Sequence, residues 1–324
     1  MELYIEKAFI DNLYLGLDFK NLTPSQKVLI NIFKEYGEVE KFMDVSINTA
    51  EELESLKTSN ILIAYLNIIH PVISINSIKD HFFEKSECKQ TIILTQKVQN
   101  WFEDAEKKGA LCFSYDNYEN RINTIINELH FKVDLSEGFK GWGFLKKFKN
   151  LNYNQITVTD GYILVDKDYQ EMEDNLIPIL KELFLTKSKV CNVDIFTKEI
   201  DAIKTNGGYS EERHIKEKAK KRYNVLKNNI PKLNTIIQII FSYNKNYRMN
   251  NGDEFDFHDR IIQTNFSLMD SGKGFNLVGS TKQSNSQIIS ATIFEKYTYN
   301  RLKNHKKMQS RHINSRKTLK YSFE

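Results

Sequence analysis

The residues best placed to do chemistry lie between positions 255 and 279, in the stretch FDFHDRIIQTNFSLMDSGKGFNLVG. His258, Asp259 and Arg260 are consecutive, Asn265 follows, and Lys273 and Asn276 flank Gly274. A guanidinium such as Arg260 can hold a phosphate through two parallel N–H bonds. Lys273 adds a second cation. The plainer alternative is a strand-edge network in which His258, Asp259 and Arg260 pair with one another and fix the glycine turn.

A second feature is electrostatic. Between residues 301 and 320 the chain carries Arg301, Lys303, Lys306, Lys307, Arg311, Arg316, Lys317 and Lys320 without one Asp or Glu. Ser284-Asn-Ser-Gln287 reads as a capping box that opens a helix running into this stretch. Lys303, Lys306 and Lys307 would share one face of it at 3.6 residues per turn. With Arg311, Arg260 and Lys273 they would form a nucleic-acid-binding track that senses charge rather than bases. A solvated tail is the competing reading. His214-Ile-Lys216, on a charged helix, reads as a solvated face.

The spacing in the first stretch resembles the phospholipase D superfamily motif HxK(x)4D(x)6GSxxN. His258 falls on His, Arg260 on Lys, Asn265 on Asp, Gly272 on Gly, Lys273 on Ser and Asn276 on Asn. Asp160-Gly-Tyr162 on a strand, then a helix, then a strand ending at Thr197, also follows that superfamily's order. The His-Asp-Arg triplet is most similar to the phospholipase D-like domain found behind MIT domains, over residues 151–300, although no MIT domain is evident. The resemblance implies His258 as a nucleophile on phosphorus, a second His as acid, Arg260, Asn265, Lys273 and Asn276 as phosphate-binding residues, and no metal or cofactor. It also implies impairment. Asn265 replaces the carboxylate that would stabilise an imidazolium, and Lys273 replaces a small hydroxyl. One motif stands where the active site uses two, so catalysis would need a homodimer. Such a site is better suited to binding a phosphodiester than to cutting it.

In the first half, Asn67-Ile-Ile-His-Pro71, Thr95, Gly109-Ala110 and Asp116-Asn117-Tyr118 resemble a response-regulator receiver domain. Asn67 falls on the phosphoacceptor, Thr95 on the switch residue and Asp116 on the lysine. An amide cannot be that nucleophile, and Asp116 reverses the required charge. Glu6 and Asp11 are the nearest candidates for the paired acids. A PIN-like nuclease is the rival resemblance, with Gln96 or Lys97 where a metal-binding acid belongs. A Rossmann-like scaffold without chemistry is the third possibility. His70 and His81 read as packing or surface residues.

The elements that would position these residues alternate between strand and helix, so the expected class is α/β with two domains. In residues 1–133, strands are expected at 3–10, 38–45, 60–66, 91–95 and 110–114, with helices at 25–36, 49–57, 75–83, 99–108 and 118–130. This is a parallel, Rossmann-like (receiver-like or PIN-like) sandwich. Residues 134–150 hold three glycines and no period, and read as a joint. In residues 151–300, a phospholipase D-like domain, strands are expected at 155–165, 190–197, 235–243, 254–265 and 275–279, with helices at 173–184 and 211–228. Residues 301–324 are the basic tail.

Composition narrows the function classes. The 324 residues are 40% hydrophobic and 27% charged, enough for real cores and against wholesale disorder. No apolar run reaches the ~20 residues a membrane helix needs. The N-terminus lacks a basic start and a small-residue cleavage site, so no secretory signal is expected. Cys88, Cys112 and Cys191 are far apart and odd in number, which suits neither a disulfide framework nor a zinc site and fits a reducing cytoplasm. Abundant Lys, Asn and Ile with few Gly and Pro suggest an AT-rich bacterial genome. The expected function is a noncatalytic bacterial subunit holding nucleic-acid backbone, with its first domain docking protein partners, in a setting such as phage defence. A dimeric metal-independent nuclease and a lipid-headgroup-binding module are the alternatives.

Overall fold

A computed structural model describes residues 1–71, 77–84, 90–164, 169–184, 192–198, 209–230, 236–242, 247–248, 254–255, 260–272, 274–278, 286–314 and 318–323. The chain is mixed α/β and divides into two compact units. The first comprises residues 1–128, 151–153 and 293–299; the second comprises 129–150, 154–292 and 300–324.

The first unit begins with strand β1 (Glu2–Ile5), helix α1 (Lys7–Leu15) and helix α2 (Pro24–Glu35). Strand β2 (Glu40–Met43), helix α3 (Ala50–Ser59), helix α4 (Ile61–Tyr65), the two-residue strand β3 (His70–Pro71) and helix α5 (Ser77–Glu84) follow. Strand β4 (Thr91–Thr95), helix α6 (Phe102–Lys107), strand β5 (Leu111–Ser114) and helix α7 (Tyr118–Leu129) complete it. The five strands are parallel in the order β3-β2-β1-β4-β5. This is the order of the first five strands of a doubly wound 3-2-1-4-5-6 sheet; a receiver-like sheet runs 2-1-3-4-5 instead. Tyr4, Phe42, Ile93 and Cys112 line one sheet face and pack on Ile78, Phe82, Phe102 and Ala105 of the helices.

Local chemistry fixes these elements. Thr23 and Gln26 form a capping box at the start of α2, with Pro24 in its first turn. Lys41 donates to the carbonyls of Phe33 (3.3 Å) and Leu66 (2.6 Å), satisfying acceptors at the ends of α2 and α4. The 293–299 segment is tied in by tyrosines. The Tyr36 and Tyr299 rings stack with centroids 4.5 Å apart, Tyr36 Oη donates to Ile293 O (2.6 Å), and Tyr299 Oη donates to Gly37 O (2.6 Å).

The second unit starts with strand β6 (Phe131–Asp134), a 3-10 helix (Trp142–Asn150) and strand β7 (Gln155–Thr159). A π turn (Met172–Leu176) leads into helix α8 (Ile177–Phe184), then strand β8 (Asn192–Lys198), helix α9 (Tyr209–Asn229) and strand β9 (Ile237–Ser242). Strands β10 (Tyr247–Arg248) and β11 (Glu254–Phe255) form a small ladder. Strands β12 (Ile261–Thr264), β13 (Ser267–Ser271) and β14 (Gln287–Thr292), helix α10 (Lys296–Ile313) and strand β15 (Thr318–Phe323) follow. The mixed eight-stranded sheet runs β15-β9-β8-β7-β12-β13-β14-β6, with β7-β8 and β8-β9 parallel. Gln309 of α10 donates to Thr159 Oγ1 (3.3 Å) and Gln263 Oε1 (2.9 Å), seating the helix on β7 and β12.

Several elements differ from the sequence reading. The strand expected at 3–10 ends at Ile5, and residues 7–15 are helical, burying Phe9, Ile10 and Leu13 on one face. The apolar run at 60–66 is not a strand: Asn60 Oδ1 accepts from Leu62 N (2.9 Å) and caps α4. A short apolar run does not itself distinguish a buried strand from a buried helix. The stretch read as a joint is structured. β6 pairs with β14, and Trp142, Leu145 and Phe148 of the 3-10 helix are buried. Ser284 lies outside the described residues, Gln287 opens a strand rather than a helix, and α10 starts at Lys296. The basic stretch contains α10 and the edge strand β15, which pairs with β9.

Candidate phosphate-binding site

The site forms at the carboxyl end of β7. Ile261 pairs with Thr159, and Thr159 with Phe196, so Arg260, Asp160 and Thr197 come next in register on β12, β7 and β8. Side chains in register share a sheet face, on strands about 4.8 Å apart. Three residues from distant parts of the sequence therefore make one row.

Asp160 is its anchor. The side chain is 1% exposed; Oδ1 accepts from Tyr162 N (2.8 Å) and Oδ2 from Phe275 N (2.9 Å). Burial pushes its carboxyl pKa upward, opposed by these backbone bonds and by the Arg260 charge. Arg260 lies against the glycine turn: a Cβ on Gly274 would stand 3.0 Å from Arg260 Cδ, 3.1 Å from its Nη1 and 3.1 Å from Asp160 Oδ2. Gly274 also has φ of +101°, which a side chain would strain. Glycine is thus required twice at this position.

The turn is pinned from several sides. Ser271 N donates to Arg260 O (2.9 Å), and Ser271 Oγ donates to Gly274 O (2.6 Å). The buried Asn175 offers Oδ1 to Leu277 N (2.9 Å) and Val278 N (3.1 Å). Asn276 Nδ2 donates to Glu171 Oε2 (2.7 Å) and Tyr162 O (3.4 Å). The Tyr162 ring is 38% exposed, with Arg260 Cζ 5.6 Å and Lys198 Nζ 5.5 Å from its centroid. One row farther, the Arg222 guanidinium of α9 lies 5.9 Å from the Phe241 ring, and Phe241 is in register with Thr197.

The candidate residues separate accordingly. Arg260 is in the site. His258 and Lys273 lie outside the described residues, as do Asp259 and residues 279–285. Asn265 is elsewhere: it sits at the other end of β12, roughly 15 Å along the strand from Arg260. Its Oδ1 accepts from Asn154 N (3.1 Å) and Gln155 N (3.0 Å), and its Nδ2 donates to Asn154 Oδ1 (2.7 Å). It clamps the start of β7. Asn276 borders the site, with its amide nitrogen bonded to Glu171 and Tyr162 O.

On α10 the expected shared basic face is not uniform. Lys307 and Arg311 are exposed and Lys303 is half-buried. Lys306 is half-buried, and burial pulls its pKa down to about 8. Sequence reasoning noticed Asp160, Tyr162 and Thr197 as an order of elements but gave them no role, and it missed Glu171 and Lys198.

The first unit holds a separate polar cluster at the carboxyl ends of β1, β2 and β4. Glu6 Oε2 accepts from Gln96 N (2.6 Å), Asn12 Nδ2 donates to Gln96 Oε1 (2.6 Å), and Asp44 Oδ1 accepts from Lys7 N (2.6 Å). Lys7 also pairs with Asp11, which accepts from Asn60 Nδ2 (3.0 Å). Burial, foremost, raises the carboxyl pKa of both Glu6 and Asp44. Asn67 follows α4 with φ of +59°, in a turn rather than at a strand end. Thr95 closes β4 and donates to Lys97 O (2.6 Å), and Asp116 is exposed. Among the described residues no group of three His, Cys, Asp or Glu side chains is arranged to hold a metal ion.

No helix among the described residues is long and apolar enough to cross a membrane. No protein-family model matches the chain, and no curated protein is recognisably similar to it.

Proposed function

We propose that the second unit is a degenerate phospholipase D-like domain that grips a nucleic-acid phosphodiester backbone without cleaving it. The observation that carries this reading is the exposed Tyr162 ring with Arg260 and Lys198 against it. Arg260 supplies forked donors for a phosphate. Lys198 supplies a second cation, and the open part of the Tyr162 ring offers an unpaired base a surface to stack on. A lipid headgroup has no base to use that ring. Exposed Lys216, Lys220 and Lys221 on α9, with Lys307 and Arg311 on α10, add positive charge to the same unit. The first unit, on this reading, is a Rossmann-like scaffold that docks protein partners, for which the exposed Leu15, Ile68 and Val98 are suitable contacts.

Binding of a fluorescent single-stranded oligonucleotide to the full chain, measured across salt concentrations, tests the proposal. Log K should fall linearly with log salt, and Arg260→Gln should weaken binding and flatten the slope by about 0.7. Arg260→Lys should not restore it fully, because an ammonium lacks the fork. Affinity and slope unchanged in Arg260→Gln would overturn the proposal.

A further inference from the structure

The site has hydrogen-bonding capacity that the described residues do not use. Thr197 is fully buried, and among the described residues its Oγ1 has no hydrogen-bond partner; nor do Arg260 Nε and Asn276 Oδ1, both shielded from solvent. A buried polar atom left without a partner is costly, and each one calls for an explanation. The three atoms differ in kind. Arg260 Nε is a donor, and Thr197 Oγ1 can donate. Asn276 Oδ1 is an acceptor, and its orientation is not arbitrary. Glu171 Oε2 and Tyr162 O are both acceptors, so the amide must turn Nδ2 toward them and keep its oxygen for something else.

The unused set is therefore two donors and one acceptor. A phosphodiester provides acceptor oxygens only, so it can satisfy Arg260 and Thr197 but not Asn276. The missing partner is a donor; bases carry N–H donors as well, but the donor that lies beside a backbone phosphate is a sugar hydroxyl. In a nucleic acid that group is the ribose 2′-OH, which distinguishes RNA from DNA.

We infer that this site selects single-stranded RNA over DNA, with Arg260 and Thr197 donating to the phosphate and Asn276 Oδ1 accepting from the adjacent 2′-OH. The inference rests on the phosphodiester-binding reading above and adds its substrate class. It also replaces the expected role of Asn276: the residue reads the sugar instead of holding the phosphate.

The test compares one sequence as RNA, as 2′-fluoro RNA and as DNA, each bound to the full chain at one salt concentration. The 2′-fluoro strand keeps an RNA-like sugar pucker but cannot donate. RNA should bind about five- to tenfold more tightly than both others, the effect of one lost hydrogen bond to a buried acceptor. Asn276→Leu should erase the difference. Should that variant fail to fold, the three wild-type measurements decide alone. Equal affinity for RNA and 2′-fluoro RNA would overturn the selectivity and leave backbone binding standing. Binding to none of the three, or binding only to phosphoinositide-containing vesicles, would overturn the phosphodiester reading itself.

Discussion

Asn276 donates its amide to Glu171 Oε2 across 2.7 Å, although the two residues are far apart in sequence. This bond decides what the side chain can offer a ligand. The same amide turned over would present a donor to phosphate; held by a carboxylate, it presents an acceptor. The consequence reaches catalysis as well as recognition, because a phosphoryl-transfer site depends on donors aimed at the oxygens that gain charge.

No hydrolysis above background is therefore expected when the full chain is incubated with single-stranded DNA, RNA or a chromogenic phosphodiester, with magnesium or with EDTA. Product would be followed by gel and by absorbance. Metal-independent turnover that vanishes in His258→Ala would show the noncatalytic reading to be wrong.

Gly274→Ala should lose about 1–3 kcal/mol of stability from backbone strain. It should also weaken oligonucleotide binding, since the new Cβ meets Arg260 and Asp160 at 3.0–3.1 Å. Gly272→Ala is the control: a Cβ there meets nothing within 4 Å, so its stability should stay within about 0.5 kcal/mol of wild type. Urea melts and anisotropy measure the two effects.

Asn265→Ala should cost roughly 2–3 kcal/mol, because two backbone N–H groups at the start of β7 lose their acceptor. Its oligonucleotide affinity under native conditions should be unchanged. A binding defect with unaltered stability would return Asn265 to the site.

Two groups on α10 set a pH dependence with a defined sign. Burial lowers the Lys306 pKa from its usual 10.5 to about 8, so the folded state binds fewer protons than the unfolded chain between those values. Stability should rise as pH increases from about 8 to 10.5 through this residue, and Lys306→Met should remove that rise. Burial lowers the His312 pKa from 6.5 to about 4, so stability should fall as pH drops from 6.5 toward 4. Denaturant titrations of wild type and Lys306→Met across the full range check both limbs.

The sequence revealed local structure better than long-range chemistry. The run at Thr91–Thr95 is continuous, flanked by polar residues and buried throughout, and it forms β4 with those bounds. The similar run after Asn60 coils instead, because a side-chain cap two residues from Leu62 competes with strand pairing, and hydropathy does not register caps. Arg260 was legible as a cation beside a glycine turn. Its partnership with Asp160 and Thr197 was not, since it depends on the register of three strands. The place of Asn265 was hidden for a related reason. Its spacing from Arg260 suits a motif, but four strand residues between them carry it to the opposite end of the sheet.

The Tyr36–Tyr299 stack, with its hydrogen bonds to Ile293 and Gly37, has a consequence for biosynthesis. The first unit is complete only when residues 293–299 join it. On a ribosome adding about 5–20 residues per second, that segment emerges on the order of 10 s or more after α7 has been made. During this interval Tyr36, 4% exposed in the finished protein, lacks the ring that covers it. The nascent first unit thus presents an open aromatic surface to chaperones until the second unit is nearly synthesised. For the same reason, no single cut in the chain releases a whole first unit.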